Sequence, residues 1–261
     1  MFKKNEKSRL QQLTEYGLIS KGNDNRLKDP RIQEELYEKI KEKYTSLIKK
    51  VNQNEETLEE TFSSLTVVDS ELQPANQEHC LYMFRQLREG LRASQRVDAF
   101  ARTVYEMSAR VGIYMNHVET YFPALQYLMD VMYPEQLQSF ANNQLVTCYL
   151  LYLVCVLGNL HKLYEALLRW KLDIQDLPFQ VARIIIENNY VAWLKLRNSL
   201  PWLYQRLIDQ SRRMMQERCT RVVGAAYYIV PKQWAEKYVG PVLAITNWAV
   251  DDDVVVVRVR R

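Results

Sequence analysis

The chain has 261 residues, enough for one or two domains at about 150 residues each. With 48% hydrophobic and 25% charged residues, its composition excludes wholesale disorder, a collagen and a coiled-coil rod. The net charge of +4 is unevenly placed: residues 1–70 hold 13 basic and 13 acidic side chains, 71–200 hold 12 and 12, and 201–261 hold 10 and 6.

Residues 1–30 are polar, and Gly22-Asn23-Asp24-Asn25 is turn chemistry. Asp29-Pro30 places an N-cap and a first-turn proline before a helix over 31–51, with Ile32, Leu36, Ile40, Tyr44 and Leu47 on one stripe. Residues 1–76 therefore read as an N-terminal extension, partly helical or loose. From Gln77 to Gln210 the helical signal is nearly continuous. It comprises 77–94, 97–114, 124–132 after a boundary at Pro123, 142–157, 160–170, 179–188, 189–199 and 201–216. The apolar run Leu145–Leu157 spans about 20 Å as a helix, short of a bilayer core of about 30 Å, so it predicts a buried helix and no membrane partner. Gly158-Asn159 is its C-cap signal.

Few glycines and prolines, short breaks and helices of 10–18 residues predict a mainly α fold, a right-handed solenoid of helix pairs over 77–210. No strict repeat is visible, which argues against a consensus repeat array. Over 211–261 the pattern changes. Helices over 218–229 and 231–238 precede the break Val239-Gly240-Pro241. Val242–Val250 and Val254–Arg260 then read as two strands of a hairpin around Asp251-Asp252-Asp253. Helix, helix and two-stranded wing is the order of a winged helix.

Catalytic patterns are absent. His79, His117 and His161 have no ligand spacing, and no phosphate-loop, dinucleotide or nucleophile-elbow motif occurs. Cys148 and Cys155 share one face of an apolar helix about 10 Å apart, too far for a disulfide, and read with Cys80 and Cys219 as reduced core thiols. Asp251–Asp253 reads as a solvated turn, since the even spacing of a calcium loop is missing. The expectation is no enzyme, no metal and no cofactor. Met1–Arg9 is charged, without the apolar centre of a secretory signal.

Binding features are better represented. Arg85, Arg88, Arg92 and Arg96 fall on one helical stripe, read either as a solvated face or as a track for an acidic partner. The basic C-terminal end is the stronger candidate. Arg212, Arg213, Arg221, Lys232, Lys237, Arg258, Arg260 and Arg261 are its candidate nucleic-acid contacts. Tyr227, Tyr228 and Trp234 nearby read as core aromatics before they read as a stacking platform. Val242, Ile245, Trp248, Val254 and Val256 are the candidate partner interface along the hairpin. Four consecutive valines, Val254–Val257, make a bare edge an aggregation hazard, so the edge is expected to be covered.

Several segments together resemble one family. Leu87-Arg88-Glu89-Gly90-Leu91-Arg92-Ala93-Ser94-Gln95, then Phe100 and Val104-Tyr105-Glu106-Met107-Ser108-Ala109-Arg110, is similar to the Arg-Gln-Asp-Leu…Gln…Val-Tyr-Glu-x-His-Ala-Arg signature of the Sac-three/GANP (Nin-one-related) PCI family. Tyr121–Met132, Tyr149-Leu150-Leu151-Tyr152 and Asn189-Tyr190 with Trp193-Leu194-Lys195-Leu196 resemble its later steps. The chain departs at Glu89-Gly90, Ser108 and Trp193. The resemblance covers about 77–261. It implies a non-enzymatic nuclear scaffold for transcription-coupled mRNA processing or export. Such a scaffold pairs with a second PCI-domain protein and a small acidic DSS/Sem-type subunit, and contacts RNA or DNA through its winged helix. The alternative it implies is a structural subunit of the proteasome regulatory lid, of the Nin-one type, which the short chain favours.

Overall fold

The structure, a computed structural model, describes residues 16–22, 24–52, 74–133, 144–240 and 246–258. It is mainly helical with one small three-stranded sheet. It divides into two compact units. The first comprises the described residues up to Tyr149 with Pro201–Leu203; the second comprises Leu150–Leu200 and the described residues from Tyr204 onward.

The first unit begins with a one-turn helix at Arg26–Lys28 and then α1 (Pro30–Lys43), whose N-cap Asp29 accepts from the Arg31 amide at 2.9 Å. At Tyr44 the backbone leaves the helical region, so the single helix expected over 31–51 is two, α1 and α2 (Thr45–Asn52). Next come α3 (Pro74–Ala93), α4 (Ala99–Tyr114) and α5 (Val118–Tyr127), which closes in a π turn at Leu128–Met132. Each helix packs on its successor or on the next but one: α1 on α2 and α3, α2 on α4, α3 on α4, and α4 on α5. Pro123 lies inside α5 and does not bound it. It is exposed, while Tyr121, Ala124 and Leu125 are buried, so the missing N–H costs one bond on the wet side of a helix held by its other face.

Residues 16–52 are integral to this unit. Tyr16, Leu18, Leu27, Leu36 and Ile40 are core residues. Gln86 Nε2 donates to the Tyr16 carbonyl, and Gln33 Nε2 donates to the Leu27 carbonyl at 2.9 Å and to Ser94 Oγ at 3.0 Å. Two glycines permit the closest approaches. A Cβ at Gly90 would stand 2.6 Å from the Leu27 carbonyl oxygen, and one at Gly112 would stand 2.9 Å from the Tyr121 amide nitrogen. At Gly90 the chain needs that space for its own backbone.

α6 (Gln144–Cys155) is apolar nearly all round, and Leu145, Val146, Cys148, Leu150, Leu151 and Leu153 are buried, as a core helix requires. Among the described residues no helix is long and apolar enough to cross a membrane.

The second unit holds α7 (Leu160–Trp170), α8 (Leu177–Ile186) and α9 (Tyr190–Asn198). Asn159 and Asn189 cap α7 and α9, accepting from the amides of Lys162 and Ala192 at 3.0 Å each. α10 (Trp202–Ile208) and a short turn at Asp209–Ser211 lead into α11 (Arg212–Ala226). The helices expected over 201–216 and 218–229 are thus broken earlier and joined differently. Asp209, at the turn, receives Arg197 at 2.8 Å and Arg212 at 2.7 Å. The chain ends in β1 (Ile229–Pro231), α12 (Lys232–Tyr238), β2 (Ala249–Val250) and β3 (Val254–Val256), antiparallel in the order β1-β3-β2.

Candidate nucleic-acid and partner interface

The strand-bearing end is built on a small core: Cys219 and Val223 of α11, Val230 of β1, Ala235 and Val239 from and just after α12, and Val255 of β3. Tyr190, Trp234, Tyr238, Trp248 and Val257 pack against it, partly buried. Tyr190, Trp234 and Tyr238 form an aromatic cluster with centroids 4.9–6.1 Å apart. Trp248, expected at a partner interface, is thus placed on the module's own core. Its ring comes within 3.8 Å of the position a Cβ would take at Gly224. Trp234 is a core aromatic too.

Tyr227 and Tyr228 are not. The Tyr227 amide donates to the Val223 carbonyl at 2.9 Å, ending α11, and the chain turns extended into β1. Tyr228 then accepts from the Val257 amide at 2.8 Å, and the Lys232 amide donates to the Asp253 carbonyl at 3.0 Å. Residues 228, 230 and 232 therefore bond toward β3, and the missing N–H of Pro231 falls on the unpaired side of β1. Val230 points inward and Ile229 outward, while Tyr228, at the bend before the strand, is exposed at the sheet's end. Tyr227 is 50% exposed, Tyr228 41% and Ile229 55%.

The register extends the outer face on the side of Ile229. Ile229, Val256 and Ala249 lie opposite one another across the three strands, and Pro231 lies opposite Val254. Directly paired residues share a face, so Val254 and Val256 stand on the outer face, half-buried, while Val255 is in the core. The two valines belong to an apolar face, but β3 is not an edge. It is the central strand, covered on both sides by the chain itself. The hairpin is shorter than expected, and β1 is the strand the sequence reading missed. Val242 and Ile245 lie outside the described residues.

The basic candidates separate into groups. Arg212 bonds to Asp209 at 2.7 Å and its guanidinium stands 5.9 Å from the Trp193 ring; Arg213 pairs with Glu217 at 2.9 Å. These two are engaged within the helices. Arg221 is exposed and Lys232 half-buried, neither in an ion pair among the described residues. Lys237 lies over its neighbour Tyr238 at 5.5 Å, and Arg258 over the exposed Tyr228 ring at 4.4 Å. Arg260 and Arg261 lie outside the described residues. The result is an exposed aromatic and apolar surface, Tyr227-Tyr228-Ile229, with Arg258 on it and Arg221 one turn back on α11 from its end.

The arginine stripe is not one track, and Arg96 lies beyond the end of α3 at Ala93. Arg85 pairs with Glu89 at 3.0 Å. Arg96 reaches Glu34 and Asp98 at 2.7 Å each and lies 4.4 Å over the Phe100 ring.

All four cysteines are free and buried. Burial raises the Cys148 thiol far above its ordinary value, Cys155 to about 12 and Cys219 to about 11, which leaves them protonated and poor nucleophiles at neutral pH. Buried His79 meets the Tyr44 hydroxyl, and His117 Nδ1 lies 2.9 Å from Thr120 Oγ1. Among the described residues no group of three or more His, Cys, Asp or Glu side chains could hold a metal ion. No protein-family model matches this chain, and no curated protein matches it significantly.

Proposed function

We propose that the chain is a non-enzymatic nuclear scaffold of PCI type, a helical solenoid closed by a winged helix. It serves transcription-coupled mRNA processing or export and contacts RNA or DNA through the strand-bearing end. Its partners in this reading are a second PCI-domain protein and a small acidic subunit. Helices that pack on their successors and next-but-one neighbours support the solenoid. The succession α11, β1, α12, β2, β3 with sheet order β1-β3-β2 supports the winged helix.

The observation that carries the functional reading is the exposed Tyr227-Tyr228-Ile229 surface with Arg258 stacked on Tyr228. Bases stack on exposed aromatic rings, and unpaired arginines hold phosphates. The test is fluorescence anisotropy with short single-stranded RNA and DNA across a salt series. Binding should weaken as salt rises, and R221Q and R258Q should each lower the log–log salt slope by about 1. Salt-independent binding, or none with the partner present, overturns the nucleic-acid part.

A further inference from the structure

Arg88 is the most unusual charged group in the first unit. It sits in the C-terminal half of α3 and is only 9% exposed. Its Nε is sealed from solvent and bonded to nothing. Burial lowers its pKa to about 10, short of deprotonation at any physiological pH, so the residue stays a cation. A buried guanidinium normally has a carboxylate on its fork, because an uncompensated charge out of water is costly. Among the described residues Arg88 is in no ion pair. The acid beside it in sequence, Glu89, is directed elsewhere: it accepts from Arg85 Nε at 3.0 Å and from the Ser20 amide at 3.1 Å.

A second cation stands one helical turn away. Arg92 lies at i+4 from Arg88, on the same side of α3, exposed and without an ion pair among the described residues. Both arginines act on one group, the Tyr105 hydroxyl of α4, and favour its ionised form. That phenol is buried and stays neutral: burial raises it to about 12 despite the two cations. It donates to the Arg88 carbonyl at 3.3 Å, and its ring is stacked on Tyr127 of α5 at 4.4 Å. The aromatic wall is thus fixed from two helices, and the hydroxyl supplies no negative charge.

We propose that Arg88 and Arg92 form a binding site for a doubly charged oxyanion, a phosphate monoester or inorganic phosphate. The buried arginine presents the fork and the exposed arginine closes it from solvent. Two cations with their nearest acid already occupied favour a dianion over a monoanion. This site is separate in its residues from the nucleic-acid surface proposed above, and neither proposal depends on the other.

The experiment is a 31P NMR titration of the full chain with inorganic phosphate, and in parallel with phosphoserine and with dimethyl phosphate, at constant ionic strength. A saturable shift is expected below about 20 mM, the range that a few charge-assisted contacts supply. R92Q should weaken binding about tenfold or more, since one charged hydrogen-bond donor is lost. R88M should abolish it; R88K keeps charge and length but loses the fork, and should weaken it with the near-UV spectrum unchanged. R169Q, at another exposed helical arginine, should leave it unchanged. Tighter binding of phosphoserine than of phosphate assigns the source to a phosphorylated residue, and the reverse order assigns it to the free ion. The proposal is overturned if the wild type gives no saturable shift, if R88M still binds, if R169Q weakens binding as much as R92Q, or if dimethyl phosphate, a monoanion, binds as well as phosphate.

Discussion

In the first unit, a polar side chain that enters the packing generally meets a partner on another element. Gln33 bridges the Leu27 carbonyl and Ser94, Arg96 ties α1 to the start of α4 through Glu34 and Asp98, and Tyr133 donates to Glu106 at 2.6 Å. At the strand-bearing end, Tyr227, Tyr228 and Ile229 keep about half of their surface in water, and Val250 does the same at the far strand. A folded chain gains nothing by displaying large apolar groups in sequence on a strand edge, where pairing with other chains is a hazard. Among the described residues of the first unit most buried polar side chains are partnered from within it, with Arg88 Nε and Ser108 Oγ as exceptions. The strand-bearing end is closed only underneath, on the side of Val230 and Val255.

The largest expected effect tests whether the first unit is closed as described. Trp202 is fully buried and meets Tyr114 edge-on at 5.4 Å. Trp202→Ala removes a large ring from a packed site and should cost about 3–5 kcal/mol in urea denaturation. A loss under about 1 kcal/mol would mean that the ring is not a core group.

Next is the close approach at Gly90. The added Cβ of Gly90→Ala meets a backbone carbonyl at 2.6 Å, and neither Leu27 nor α3 can yield without displacing the turn at Arg26–Lys28. Despite the higher helix propensity of Ala, the net loss should be about 1–3 kcal/mol, as for overpacked sites. An unchanged melting temperature would show that residues 16–28 are not held on α3.

A smaller effect is visible in acid. Asp24 accepts from the Gly17 amide at 3.0 Å and from Arg26, both side chain and amide, and the Arg26 guanidinium first of all holds its carboxyl well below the usual carboxylate range. A carboxylate with a depressed native pKa contributes stability in full above its unfolded pKa of about 4 and loses it as pH falls through the native value. Wild-type stability should therefore drop more steeply below pH 4 than that of Asp24→Asn, whose stability is lower near neutrality and flatter in acid. Parallel curves would remove Asp24 from the packing of this segment.

The elements that sequence reasoning found are those whose signals are local. Asp29-Pro30 and Gly158-Asn159 mark helix ends through chemistry within a few residues, and the structure places caps there. The apolar face of α6 and the burial of the cysteines were equally legible. What was missed depends on contacts distant in sequence. Tyr227-Tyr228-Ile229-Val230 continues an apolar helical run, and only pairing with Val254–Val257, a further 25 residues on, makes it a strand. Its aromatic and β-branched composition just before Pro231 was the available signal. Likewise the sequence shows a stripe of four equivalent arginines, Arg85, Arg88, Arg92 and Arg96, of which α3 holds the first three. Which are paired, buried or free is decided by Glu34 and Tyr105 from other helices.

The smallest effect on stability goes with the sharpest test of the comparison. If Tyr228 and Ile229 serve a partner more than the fold, then Tyr228→Ser and Ile229→Thr should each cost less unfolding free energy than a change in the core beneath them, because about half of each side chain is already in water. Val230→Thr, one residue along, places a hydroxyl among Val223, Ala235 and Val255 and should cost about 1–3 kcal/mol. The three substitutions lie side by side on one strand of three residues and its flank, so a difference in strand propensity cannot produce the contrast. Tyr228→Ser also removes the ring beneath Arg258, and nucleic-acid affinity should fall by more than the loss of stability accounts for. Equal destabilisation by all three would mean that the outer face is held by the fold itself, and the asymmetry between the two regions would disappear.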